Sequence, residues 1–425
     1  MPGSMLFTMV LCFALSISVA VAIGLSSIVG AWQANVNLLT IVKEMFGAIN
    51  KFPLAAIPFF ILAGNLMESG GISARLVEFA KSIVGGIQGG LAATCVLTCM
   101  IFAAVSGSSV ATTFAIGAIL IPALLRHGYP TNFAAALQAT SAELGVIIPP
   151  SIPMILYGVS AEVSIGELFI AGFGPGLLIG GALMLFVVVY ARWKGYGKKD
   201  HEGRLPFLTA TRRAALALLM PVIILGGIYG GVFTPTEASV VAVFYALVVG
   251  VGVYRETRIA DLPRVLRKSV VSSAVIMFII ANAGLFSFLI TRAGVPDQIG
   301  AFLVEWLQTP ALFLIGVNAA LFVIGMFIET SASIIVLAPI LAPVAQHFGV
   351  DPVHFGIIMV VNLALGMITP PFGVNLFAAC TVAKISVDRI VSRLAPFVLV
   401  IVGCLLLVTY VPAISLGLRD LLYAR

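Results

Sequence analysis

Two hydroxyl-rich patches and two double prolines hold the groups in this sequence that could do chemistry, and one spacing relates them. Pro122, Pro149 and Pro150 recur 221 residues later as Pro343, Pro370 and Pro371, and Gly128 and Gly145 recur as Gly349 and Gly366. Ser106-Gly107-Ser108-Ser109 falls opposite Phe327-Ile328-Glu329-Thr330, with Ser331 and Ser333 just beyond. Proline removes an amide donor and clashes with the carbonyl four residues back, so adjacent prolines free several carbonyl oxygens. Away from water, such carbonyls need a protein donor or a cation. Hard cations such as Na⁺ take oxygen ligands, and carbonyls with Ser or Thr hydroxyls supply them without a full charge. Ser106 and Ser109 could face the backbone of residues 145–148 before the first break. Thr330, Ser331 and Ser333 could face residues 366–369 before the second. The plain alternative is that each Pro-Pro kinks a helix and each serine bonds its own backbone; repetition at a fixed spacing weighs against it.

The same layout suits an anion. Helix N-termini carry roughly half a positive charge, and helices starting near Val110, near Ile334 and after each Pro-Pro would aim such ends at one cavity. Ser108, Ser151, Ser331, Ser333 and Asn375, at the tips and past the breaks, are the candidate contacts to an acid. Asn375 could donate to a carboxylate or bridge two helices. Glu143 and Glu329 are acids at membrane depth; each could exchange a proton or make a packing or gating pair with backbone donors. Glu68, Glu237 and Glu305 read as solvated, and His127 and His347 as interface residues. Cys95 and Cys99 share a helix face, but no His or second Cys pair accompanies them. No nucleophile–base set, Walker loop or metal-spaced His/Cys group is present, which argues against an enzyme.

The elements that must position these groups follow from composition. The chain has 425 residues, 61% hydrophobic and 9% charged, with mean hydropathy +1.16. A soluble domain carries roughly 25% charged residues. Most of this surface must therefore face lipid, and its long Leu-rich segments predict an all-α polytopic membrane protein rather than a barrel. The opening Met1-Pro2-Gly3-Ser4-Met5 reads as an addition ahead of a native Met5, and Leu6–Leu25 as a first span rather than a cleaved signal. Leu6–Gly30 is one span or two short ones. Ile72–Val84 is an amphipathic interfacial helix. Residues 89–128 and 311–347 are re-entrant hairpins; residues 132–158 and 353–379 are broken helices. Residues 5–191 and 214–425 thus form two repeats around a polar linker, 192–213. Arg255–Lys268 and Ile385–Arg393 read as basic interfacial stretches beside the spans Ser269–Ile290 and Leu394–Pro412.

Charge tests the hairpins. If both dip and return, the repeats are inverted. With the linker cytoplasmic, all but five of the 23 Lys and Arg residues then lie on that side, and the C-terminus is periplasmic. Hairpins that crossed fully would lose this separation. The net charge of +6 is therefore an orientation signal, not a nucleic-acid signal.

With these features in place, the sequence resembles the large membrane subunit of tripartite ATP-independent periplasmic (TRAP) transporters, the DctM-like family. The resemblance rests on five stretches: 52–64 (FPLAAIPFFILAG), 105–113 (VSGSSVATT), 145–151 (GVIIPPS), 231–238 (GVFTPTEA) and 369–375 (TPPFGVN). It implies a bacterial inner-membrane importer with an elevator-type ion transporter fold, in which hairpins and broken helices slide against a scaffold of outer spans. It implies two Na⁺ sites: Ser106, Ser109, Gly145, Ile148 and Pro150 for the first, and Gly325, Thr330, Gly366 and Thr369 for the second. It further implies a separate small four-helix membrane subunit and a periplasmic substrate-binding protein that delivers an organic acid: a C4-dicarboxylate, sialic acid or a similar sugar acid. A stand-alone ion-coupled carboxylate carrier and an anion channel are the alternatives.

Overall fold

The computed structural model describes residues 1–15, 17–197, 204–307 and 309–423; residues 198–203 of the expected linker 192–213 lie outside them. Among the described residues all regular structure is helical. The apolar opening is two helices, α1 (Pro2–Ala14) and α2 (Val19–Gln33), each short of a full crossing. They pack together, and the Ser26 hydroxyl donates to the Met5 carbonyl at 2.7 Å. Then come α3 (Leu38–Ile49), α4 (Ala56–Ser69) and the amphipathic α5 (Ile72–Val84). Next are α6 (Gly90–Ser106) and α7 (Ser109–Arg126), a helical hairpin. After it, α8 (Thr131–Ala142), α9 (Leu144–Ile147) and α10 (Ile152–Ser160) form one helix bent by 43° at its break. The long α11 (Ile165–Lys194) leads to the linker.

The second part begins with α12 (Phe207–Tyr229) and α13 (Pro235–Leu247). Thr234 and Glu237 close a capping box at the start of α13. α14 (Leu262–Arg292) absorbs the second half of the stretch read as interfacial, Arg255–Lys268, and continues through the next span. Arg264, Arg267 and Lys268 are good helix formers and no breaker follows them, so the amphipathic start and the apolar span are one rod. α15 (Val295–Leu307) precedes a second hairpin, α16 (Pro310–Gly325) and α17 (Thr330–His347). A second broken helix follows, α18 (Pro352–Met367) and α19 (Val374–Ala383). α20 (Val387–Tyr410) likewise runs through the basic turn read as a separate stretch, and α21 (Ala413–Leu422) is a further helix after Pro412.

Eight helices among the described residues are long and apolar enough to cross a membrane. Among the described residues, packing sorts the α-helices into two groups, with α5 and α15 between them. α1–α4 and α12–α14 pack mainly on one another. α6–α11 and α16–α21 pack around the hairpins, and α5 and α15 touch both groups. Within the hairpin group the second segments cross over: α10 lies on α17, and α19 lies on α7 and α8.

Candidate functional site

Hairpin one turns at Gly107, which holds φ +61°, and Ser108, whose extended backbone caps α7. The Ser108 hydroxyl accepts from the Ala111 amide at 3.4 Å. Three tip oxygens gather beside it. The Ser106 hydroxyl donates to the Ser108 carbonyl at 3.3 Å, the Thr112 hydroxyl donates to the same carbonyl at 2.8 Å, and the two hydroxyls lie 3.1 Å apart. Ser106 and Thr112 are almost wholly buried. The tip sits directly on the first break. A methyl placed on Gly145 would meet the Ser108 carbonyl and the Thr112 hydroxyl, both at 2.8 Å. One placed on Gly107 would meet the Pro150 carbonyl at 2.8 Å, and the Ile152 amide donates to the Gly107 carbonyl at 3.4 Å. Ser106, Gly145 and Pro150 therefore converge, with Thr112 added. The Ser109 carbonyl accepts from Thr113, and the Ile148 side chain packs toward Gly176. Ser151 caps α10, accepting from the Met154 amide at 3.4 Å, and donates to the Val146 carbonyl at 2.5 Å.

The second tip repeats the contact with different side chains. Gly325 and Gly366 touch backbone to backbone; a methyl on Gly325 would lie 3.1 Å from the Gly366 Cα and from the Leu363 carbonyl. The Phe372 amide donates to the Met326 carbonyl at 3.2 Å, strapping this break to its tip as Ile152 does at the first. Glu329 caps α17: its carboxylate accepts from the Ser331 amide at 2.8 Å, the Ala332 amide at 3.2 Å and the Ser331 hydroxyl at 2.8 Å. An acid at a helix N-terminus meets free amides and a favourable dipole, so Glu329 is satisfied there by backbone donors. Thr330 is buried and donates to Met367 Sδ at 2.9 Å. The Thr369 hydroxyl donates back to the Leu365 carbonyl at 2.9 Å. Ser333 is buried, and its hydroxyl has no partner among the described residues. Both Pro-Pro bonds are cis.

Asn375 is fully buried at the start of α19 and donates from Nδ2 to Glu143 Oε1 at 2.5 Å. In this conformation the amide bridges two helices from opposite ends of the sequence. Behind hairpin two runs a buried polar chain. Asn362 donates to Asn318 Oδ1 at 2.6 Å, Asn318 donates to the Thr409 hydroxyl at 3.1 Å, and the His354 ring lies 3.2 Å from the Thr409 carbonyl and 2.6 Å from the Ser415 hydroxyl. Sequence reasoning missed this chain and Thr112. The signal lay in polar residues inside otherwise apolar runs, a turn or two from a tip or a break.

The donor set at both tips is hydroxyl and carbonyl oxygen with no histidine or thiol, which fits a hard monovalent cation rather than a transition metal. Among the described residues no group of three His, Cys, Asp or Glu side chains is placed to hold a metal ion, and all five cysteines are free and buried. Cys95 donates to Gln138 Oε1 at 3.2 Å, a packing role. Between the two helix groups opens a cavity of about 590 Å³, lined from one side by Lys51 and Arg292 and from the other by Leu156, Ile335 and Pro339.

A family model described as "Tripartite ATP-independent periplasmic transporter, DctM component" matches residues 6–414. A C4-dicarboxylate TRAP transporter large permease protein DctM from Pseudomonas aeruginosa is 44% identical over 377 residues, 89% of this chain and 88% of that protein. An isethionate TRAP transporter permease protein DctMQ from Oleidesulfovibrio alaskensis is 42% identical over 402 residues, 94% of this chain and 63% of that longer protein. In fold, the YdaH transporter of Alcanivorax borkumensis superposes with a TM-score of 0.63 over 89% of this chain and 88% of that one, at 16% identity. With nearly its whole length matched, the chain belongs to the DctM component family of tripartite ATP-independent periplasmic transporters.

Proposed function

We propose that this large permease subunit imports an organic acid across a bacterial inner membrane, driven by Na⁺. The observation that carries the reading is the pair of tip-on-break contacts, Gly107 on Pro150 and Gly325 on Gly366, each beside buried hydroxyls. A closed tip lined with oxygen supports a cation that neutralises freed carbonyl dipoles. Ser106, Thr112, Gly145 and Pro150 would hold the first ion, with Ser109 and Ile148 in the shell. Gly325, Thr330, Gly366 and Thr369 would hold the second. The starts of α7, α10 and α19 would present positive helix ends to the acid, with Ser108 and Ser151 nearest to it and Ser331 and Ser333 beside the Glu329-capped start of α17. The names of the relatives favour a small acid such as a C4-dicarboxylate or a short sulfonate.

The sorting of helices into two groups joined by α5 and α15 supports an elevator, in which the hairpin group moves past the other as one unit. The basic residues support inverted repeats, a cytoplasmic linker and a periplasmic C-terminus. A separate small membrane subunit and a periplasmic binding protein complete the system on this reading. More than a third of the DctMQ relative lies outside its match to this chain and is room for that subunit in fused form. Membrane potential adds about 2.3 kcal/mol per net charge per 100 mV to the Na⁺ gradient.

The test is uptake of labelled acid into proteoliposomes holding the permease subunits, with the binding protein added. Replacing external Na⁺ by choline should drop uptake to the level of empty vesicles. Unchanged uptake in choline would end the Na⁺ assignment.

A further inference from the structure

Gln138 is fully buried on α8, seven residues before Gly145, so about two helical turns set both on one face. Gly145 meets the tip of hairpin one, and Gln138 meets its two arms. From α6, the Cys95 thiol donates to Gln138 Oε1 at 3.2 Å. Gln138 Nε2 donates to the Thr112 carbonyl on α7 at 3.3 Å and to Cys99 Sγ on α6 at 3.7 Å. Oxygen and nitrogen of the amide are thus both engaged, and both arms supply the partners. A buried amide costs free energy when its bonds are lost, so this one resists separation of the arms.

The second arm is cut to receive it. A methyl placed on Gly117 of α7 would lie 3.1 Å from Gln138 Cγ and 3.5 Å from Cδ. Glycine inside a helix is unfavourable, and here it leaves the room in which the amide sits. The second repeat has no such arrangement. At the spacing of 221, Cys95, Cys99, Gly117 and Gln138 become Gly316, Ala320, Ala338 and Met359. Met359 is also buried, so the fold packs a methionine at that place.

Thr112 is where the amide meets the tip. Its carbonyl accepts from Gln138, while its hydroxyl donates to the Ser108 carbonyl and lies 3.1 Å from the Ser106 hydroxyl. An oxygen holds an ion best when the backbone that carries it is fixed by neighbours outside the ligand shell.

We propose that Gln138 is a positioning residue for the first cation site. It ties α6 to α7 at the level of Thr112 and so keeps the Ser106 and Thr112 oxygens together, without touching the ion. The proposal rests on the Na⁺ reading of this tip and adds to it a residue from outside the ligand shell.

The test is a Na⁺ titration of uptake into proteoliposomes holding the permease subunits, with the binding protein added. Gln138→Met fills the space of the amide but makes none of its bonds. Its Na⁺ half-saturation should rise about three- to tenfold, at the low end of outer-shell changes at metal sites. At saturating Na⁺ its uptake should return to the wild-type rate. Gly117→Ala presses one methyl on Gln138 in a helix that favours alanine, should shift in the same direction, and carries the test if Gln138→Met does not fold. An unshifted half-saturation beside a Na⁺-dependent wild type overturns the positioning role and leaves the Na⁺ reading standing. Uptake reduced by the same factor at every Na⁺ concentration shows a structural role only and overturns it too. Wild-type uptake indifferent to Na⁺ removes both.

Discussion

Thr112 joins Ser106 and the Ser108 carbonyl in one knot of oxygens, and its hydroxyl is the part of that knot contributed by the second arm of the hairpin. Thr112→Val keeps the side-chain shape and removes the oxygen. If this knot holds a coupling ion, the Na⁺ concentration for half-maximal uptake should rise about tenfold, the equivalent of ~1.4 kcal/mol, while the unfolding midpoint changes little. A titration of uptake against Na⁺ checks it, and an unshifted half-saturation would remove Thr112 from the ion shell. The hydroxyls at the first tip were legible in the sequence because Ser106–Ser109 interrupts an apolar run. Thr112 was not, because a threonine three residues inside a helix ordinarily bonds back to its own helix. It does so here, and the fold adds its approach to the Ser106 hydroxyl of the first arm, 3.1 Å away. Asn375 was visible as a polar residue at depth, but its partner Glu143, 232 residues away, was not.

At the level of elements, the broken helices and hairpins were readable because proline, glycine and hydroxyl residues act through local sterics and capping. The length of α14 and α20 was not, because an amphipathic stretch followed by an apolar one looks like two pieces unless a breaker divides them. The last helix, α21, was also hidden, since its anchorage is tertiary. Arg419 donates to Asp351 at 2.8 Å, at the cap of α18, and lies 3.8 Å from Glu167 at the start of α11. Burial alone would raise the Asp351 pKa, but the Arg419 bond and the amides of His354 and Val353 outweigh it and hold the carboxyl below its ordinary value. A depressed aspartate stabilises the fold above its unfolded pKa, about 3.9, and loses that contribution as pH falls through the lower folded value. Arg419→Ala should therefore lower stability near neutral pH by about 1–2 kcal/mol, as for a partly screened charge-assisted bond. The gap from wild type should narrow once Asp351 takes a proton. Unfolding midpoints across an acid series decide it; a gap that persists unchanged to the lowest pH would mean that Arg419 acts by packing.

For the whole molecule, the exchange of second segments means that neither half is complete alone: α10 needs hairpin two, and α19 needs hairpin one. Such a body should move as a unit against α1–α4 and α12–α14. Ser287 and Ile335 line the same cavity from opposite bodies. Cysteines at both, bridged by a reducible bifunctional reagent, should stop uptake, and reduction should restore it. Uptake that survives the bridge would rule out sliding between these surfaces. Sequence periodicity could not reveal the exchange, because it reports which face of a helix is buried and not which neighbour buries it. The meeting of Gly325 with Gly366 has a bearing on fidelity. Two bare main chains in contact leave a seam too narrow for a water file or a lipid tail. A side chain at either position would have to part the two main chains, so the closeness of this tip to its break rests on two missing methyl groups.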